Sequence, residues 1–83
     1  MNNEEILAAL NEIFRDVLDD EEIVITENSS AADYDAWDSL ANVNLIVASE
    51  MRFGVRFRTS EVESLRNVGE LMALIQKQLL AKG

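Results

Sequence analysis

Apolar side chains recur at three- and four-residue spacing in three separate stretches of this chain, and no proline interrupts any of them. That spacing is the period of an α-helix with one face turned to a core, which confines the chain to a small all-α arrangement. Ile6, Leu7, Leu10, Ile13, Phe14, Val17 and Leu18 form the first stretch, with Asn2 and Glu5 spaced as a capping box at its start. The second runs from about Ser39 to Phe53, where Asp38 suits the N-cap and Gly54 a left-handed C-terminal residue. Ser60 and Glu63 repeat the S-x-x-E spacing and predict a short helix that turns Val62 and Leu65 inward. Asn67 and Glu70 open a last helix in which Val68, Leu71, Leu74, Ile75 and Leu79 share a face, and Lys77 and Lys82 are placed to complement its dipole. Gly69 costs little in its first turn, since few intrahelical bonds depend on it. The expectation is a four-helix bundle, three longer helices and one short third helix, in a single domain over residues 1–83.

Residues 19–37 lack any such period. They hold the acidic run Asp19-Asp20-Glu21-Glu22, the β-branched stretch Ile23-Val24-Ile25-Thr26 and a polar Asn28-Ser29-Ser30 segment. A connection this long needs anchoring inside a compact domain, and Ile23, Val24 and Ile25 are expected to pin it across the bundle. A single β-strand is the competing assignment, with no second strand to pair with it. In a chain of 83 residues the core is thin, and the whole fold is worth about 4–12 kcal/mol.

The second helix carries two apolar stripes instead of one. At about 100° per residue, Leu40, Val43, Val47 and Met51 fall within one narrow arc, and Leu45, Ile46 and Phe53 fall roughly opposite with Asn42 and Ser49. A small bundle buries one side well, so one stripe is core and the other an exposed ridge suited to partner proteins. Periodicity alone slightly favours Leu40, Val43, Val47 and Met51 as the core face.

Composition excludes much chemistry. Without cysteine there is no disulfide framework, thiolate zinc site or thiol nucleophile, and without histidine the most usual general base is missing. Residues 1–38 hold twelve acidic side chains against Arg15 alone, and residues 39–83 hold four against six basic ones, within a net charge of −9. Nucleic acid is therefore an unsuitable partner. The acidic half steers toward basic protein surfaces and repels itself at low salt, although most individual carboxylates read as solvated faces. The acidic run lacks the alternating ligands, central glycine and closing glutamate of an EF-hand, so no metal site is expected. Met1-Asn2-Asn3-Glu4-Glu5 lacks the positive region of a signal peptide and no apolar run reaches membrane-spanning length, so a cytoplasmic monomer without membrane insertion is expected. Asn28-Ser29-Ser30 matches a glycosylation sequon, which without an export signal carries no weight.

Asp38-Ser39-Leu40, directly after Trp37, places a primary hydroxyl in the first turn of the second helix. A serine with no neighbouring base is better suited to modification by another enzyme than to nucleophilic catalysis. A catalytic role would require a lysine or carboxylate base, and Lys77 and Lys82 lie far along the final helix.

Asp38-Ser39-Leu40 at a helix start, the apolar helix ending in Phe53-Gly54, the short third helix and the spacing to the last one together resemble the acyl carrier protein family, across nearly the full length. The resemblance implies that Ser39 receives 4′-phosphopantetheine from coenzyme A through a separate phosphopantetheinyl transferase, which Asp38 helps to recruit. The arm's thiol would hold acyl or aminoacyl groups as thioesters, added by a loading ligase and consumed by downstream synthase or transferase enzymes. The protein itself would be non-catalytic, with Leu40, Val43, Val47 and Met51 facing partners. Leu45, Ile46, Phe53, Phe57, Val62 and Leu65 would line an acyl cavity. The alternative is an unmodified helical interaction module with the same fold.

Some residues depart from the family pattern. Where fatty-acid carriers usually bear a string of glutamates, this chain has Asn44 and then Glu50 followed by Met51 and Arg52. Arg52, Arg56 and Arg58 would repel basic docking surfaces, which favours a specialised pathway with a differently charged partner. Ser49 stands where an aliphatic residue is usual and is expected to shrink or polarise the cavity. Trp37 resembles stand-alone carriers of polyketide, nonribosomal-peptide or aminoacyl-transfer pathways; equally, it is a large side chain suited to closing the loop over the bundle.

Overall fold

The computed structural model describes residues 2–82, and of Lys82 the backbone alone; the expected role of the Lys82 side chain lies outside the described residues. Four α-helices follow in order: α1 over Asn3–Val17, α2 over Ser39–Phe53, α3 over Thr59–Glu63 and α4 over Val68–Lys82. A single 3-10 turn, Ala31–Asp33, interrupts the connection between α1 and α2, and no strand occurs among the described residues. No helix among them is long and apolar enough to cross a membrane.

The helix ends follow local chemistry. Asn2 and Glu5 form the expected box, with Glu5 N–H donating to Asn2 Oδ1 at 2.8 Å and Asn2 N–H to Glu5 Oε1 at 3.1 Å. At the other end Asp20 N–H reaches Arg15 O at 3.0 Å and Asp19 N–H reaches Asp16 O at 3.4 Å, which is a Schellman closure. Asp19, not glycine, occupies its left-handed position, at φ 51°. The Ser60 and Glu63 box does not form. The N-cap falls two residues earlier, at Arg58, whose N–H donates to Glu61 Oε1 at 3.0 Å. Glu61 stands three residues after Arg58, the same offset that separates Glu63 from Ser60, so it is the carboxylate in reach of the N-cap donor once the helix starts earlier.

α1 packs against α2 and α4. Ile6, Leu10, Ile13 and Phe14 of α1 meet Leu45, Ile46 and Phe53 of α2, and Val68, Leu71, Met72 and Ile75 of α4, in one continuous core. Each fully buried chain of this size contributes about 1.5–3 kcal/mol.

The long connection joins this core through Ile23 and Ile25, which are buried, whereas Val24 is 65% exposed, against expectation. Three consecutive side chains in an extended segment cannot all face one way, so the middle one turns out. In place of a partner strand, α1 satisfies the backbone. Asn11 Oδ1 accepts from Ile25 N–H at 2.8 Å, Asn11 Nδ2 donates to Ile25 O at 3.4 Å, and Arg15 Nε donates to Ile23 O at 2.7 Å.

The same connection caps α4. Val68 N–H donates to Ser29 O and Gly69 N–H to Glu27 O, both at 2.8 Å, while Glu70 N–H takes the expected Asn67 Oδ1 at 2.9 Å. A Cβ on Gly69 would stand 3.0 Å from Glu27 O. Glycine here permits two backbones to meet, a demand that helix propensity could not reveal.

Candidate functional site

Asp38 precedes α2 with extended backbone, and its Oδ1 accepts from Ala41 N–H at 2.8 Å. That cap fixes the start of the helix and sets Ser39 in its first turn, exposed. The backbone N–H groups of Ser39 and Leu40 find no acceptor among the described residues. The head of α2 thus differs from that of α4, whose donors are spent inside the fold.

Gly54 ends α2 at φ 65°, a conformation open to glycine at little cost. Between these two caps the helix is locked in rotation by its core face. Leu45, Ile46 and Phe53 are buried together with Ser49, while Leu40, Val43, Val47 and Met51 are 71, 58, 47 and 80% exposed. The more regular stripe is therefore the outer one. Ser49 explains how the other can be buried: its hydroxyl donates to Leu45 O at 2.7 Å within its own helix, so it presents no unpaired donor to the interior.

A cavity of about 340 Å³ opens beside Ser39. Asp38 and Ser39 line it with the apolar side chains of Phe14, Leu45, Ile46, Leu65 and Leu71 and with Asn42, Arg66 and Asn67. Of the six residues expected to line an acyl cavity, Leu45, Ile46 and Leu65 do so here, whereas Phe53, Phe57 and Val62 pack against the core elsewhere. Trp37 also borders the cavity, edge-on to Phe14 with ring centroids 4.9 Å apart and planes at 89°. Its Nε1 donates to Asn42 Oδ1 at 3.1 Å, which ties the loop to α2 and closes it over the bundle.

No lysine lines the cavity, and among the described residues no three acidic groups stand close enough to hold a metal ion. Nothing beside the Ser39 hydroxyl is fit to take its proton at neutral pH except a capped carboxylate. Arg66 is the one cation lining the cavity, and its guanidinium makes no ion pair among the described residues. Sequence spacing offered no signal for Arg66, which lies in the α3 to α4 connection outside every periodic stretch.

A family model described as phosphopantetheine attachment site matches residues 8–75. The acyl carrier protein of Thermosynechococcus vestitus is 40% identical over 82 residues, which is 98% of this chain and 100% of the relative.

The chain belongs to the acyl carrier protein family.

This carrier is also similar to the meromycolate extension acyl carrier protein of Mycolicibacterium smegmatis, at 38% identity over 74 residues, 89% of this chain and 75% of the relative. Its fold matches the solution NMR structure of holo acyl carrier protein from Geobacter metallireducens with a TM-score of 0.85 and 49% identity, over 92% of this chain and 87% of that one. The prosthetic group is 4′-phosphopantetheine, and carriers of this family are not catalysts. The head of α2 suits that group: an exposed hydroxyl, two free N–H donors and the positive end of the helix dipole favour a phosphodiester, and Arg66 lines the same cavity. Asp38 opposes it by charge, although the cap turns one of its oxygens toward Ala41.

Proposed function

We propose that Ser39 is the attachment residue and that residues 1–83 work as one carrier domain. The observation that carries this reading is an exposed first-turn hydroxyl, at free helix-terminal donors, on the wall of an apolar cavity. A separate phosphopantetheinyl transferase makes the link: a P–O bond forms between Ser39 Oγ and the phosphorus that bears the pantetheine, the P–O–P linkage of coenzyme A breaks, adenosine 3′,5′-bisphosphate leaves, and the hydroxyl proton passes to a base of that enzyme. The chain has no histidine or cysteine to take it. Asp38 serves this step by holding the helix start and offering a charge to the transferase or its metal. Afterwards Arg66 offsets that charge beside the phosphodiester.

The group supplies a thiol on a flexible arm that holds acyl or aminoacyl cargo as thioesters. This chain supplies attachment, a cavity and the exposed ridge of Leu40, Val43, Val47 and Met51 for the enzymes that load and unload it. We place it in the cytoplasm, as a monomer, in biosynthesis of the fatty-acid, polyketide or nonribosomal-peptide type, with a loading ligase and downstream synthases as partners. Co-expression with a broad-specificity phosphopantetheinyl transferase and intact-mass measurement tests the reading. One phosphopantetheinyl unit is expected on the wild-type chain and none on Ser39→Ala; loading of the alanine variant, or an unmodified wild type, overturns it.

A further inference from the structure

We infer that the far end of the α2 ridge receives an acidic side chain of the partner enzyme, set beside an apolar one, and that this contact fixes which way the carrier docks. The inference rests on the exposed α2 stripe being the partner face.

α2 contains a single acidic residue, Glu50, and the fold has taken it. Glu50 Oε2 accepts from Phe57 N–H at 2.9 Å, and Glu50 O accepts from Val55 N–H at 3.1 Å, so this residue shapes the turn out of α2. The exposed side of the ridge is left with no free carboxylate beyond Asp38 at its head. At its tail a surface hollow of about 480 Å³ is lined by Val47, Met51 and Arg56, with Glu50, Gly54 and Val55 completing it. Arg56 is exposed, and its guanidinium makes no ion pair among the described residues. Arg52, in the last turn of α2, is paired with Glu12 of α1 at 2.9 Å, but with side chains 50% and 61% exposed this surface pair is weak and open to exchange.

The ridge is therefore polar along its length. Asp35 and Asp38 stand exposed at the Ser39 end, and Arg52 and Arg56 stand exposed at the other. Fifteen residues of helix separate the two ends, which at 1.5 Å per residue is about 20 Å. A protein surface that matches it has an apolar groove, cations near the entrance for the arm and carboxylates about 20 Å further along. A surface uniformly rich in lysine and arginine would meet repulsion at Arg52 and Arg56, where the one carboxylate lining the hollow, Glu50, is half-buried and engaged by Phe57 N–H. A reversed orientation would place like charges together at both ends.

The test uses two synthetic helical peptides with the same Leu and Ile stripe, one with glutamates at one end of the stripe and one with lysines there. Each is titrated into the apo chain and followed by backbone amide shifts of Val47, Met51 and Arg56. The glutamate peptide is expected to bind about three- to tenfold more tightly. Arg52→Glu with Arg56→Glu should reverse the preference, with retained amide dispersion as the check on folding. Equal or tighter binding of the lysine peptide, shifts centred elsewhere, or no binding of either peptide at millimolar concentration overturns the inference. So does concentration-dependent self-association through these residues, which would assign the hollow to a second copy. Because the apo chain is used, failure of Ser39 loading would not move this result, nor this result the loading.

Discussion

Asn11 gives Ile25 both of the hydrogen bonds that a neighbouring strand would have supplied. Its Oδ1 accepts from Ile25 N–H at 2.8 Å, and its Nδ2 donates to Ile25 O at 3.4 Å and to Leu7 O at 3.0 Å. One amide side chain on α1 thereby lets an extended segment lie against a helix with its buried backbone satisfied. Asn11→Ala removes both partners at once, and urea unfolding should register a loss of about 1–3 kcal/mol. Asn11→Asp keeps the acceptor and should fall between. An unchanged midpoint for the alanine variant would mean that Ile23 and Ile25 hold the segment unaided.

This pair also marks where sequence and structure part. α1, α2 and α4 were readable because their apolar periods, the Asn2 and Asn67 caps and Gly54 act within a few residues of chain. The anchoring of the long connection by Ile23 and Ile25 was readable too, but its path was not, because its bonds come from Asn11, Arg15, Val68 and Gly69, which are remote in sequence and belong to other elements. At the site, the Asp38 cap and the first-turn position of Ser39 were readable. The choice between the two stripes of α2 was not, because Ser49 hides its hydroxyl in its own helix and so lets a less regular face become core. Arg66 and the capture of Glu50 by Phe57 N–H depend on connections whose paths no periodicity describes.

Gly69 is held where α4 crosses the connection. Alanine normally stabilises a helix relative to glycine by up to about 1 kcal/mol. Here its Cβ would lie 3.0 Å from Glu27 O, a backbone atom that already accepts the Gly69 N–H at 2.8 Å. The crowding should win, with Gly69→Ala less stable by about 1 kcal/mol net. A rise in melting temperature would show that the connection yields without cost.

Asp38 combines a cap with a charge, and two substitutions separate them. Asp38→Asn keeps an acceptor for Ala41 N–H, so the apo protein should stay within about 0.5 kcal/mol of wild type, whereas Asp38→Ala should lose about 1 kcal/mol. With the phosphodiester in place, Asp38→Asn should be more stable relative to wild type than it is in the apo form, because a like charge beside the phosphate has gone. Paired thermal melts of apo and holo samples decide it. If both forms shift equally, the carboxylate and the phosphodiester do not sense each other.

Met51 is 80% exposed and Val47 is 47% exposed, so neither contributes much to the core. Met51→Glu and Val47→Arg should each change unfolding free energy by less than about 0.5 kcal/mol. Transfer of the phosphopantetheinyl unit by an added transferase should nevertheless slow, because the ridge is the face we propose for partner enzymes. Gross unfolding of either variant would make this face part of the core.

Asp19 sits at φ 51° in the closure that ends α1, and it opens the run Asp19-Asp20-Glu21-Glu22, every member of which is exposed. Two costs coincide there. A left-handed backbone disfavours a residue with a Cβ by about 1 kcal/mol, less for aspartate than for most. Four adjacent carboxylates also repel one another, in a half of the chain with a single cation. Asp19→Gly relieves both, against the entropy that glycine adds to the unfolded chain, and should raise stability by about 0.5–1 kcal/mol. Asp19→Asn keeps a Cβ but removes the charge, so its gain should shrink in 1 M salt, where screening reaches about 3 Å. Melting both variants in low and high salt separates backbone strain from repulsion: a glycine gain that survives salt is conformational, and one that vanishes with the asparagine gain is electrostatic. If neither variant melts higher than wild type at low salt, the closure of α1 carries no penalty from either source.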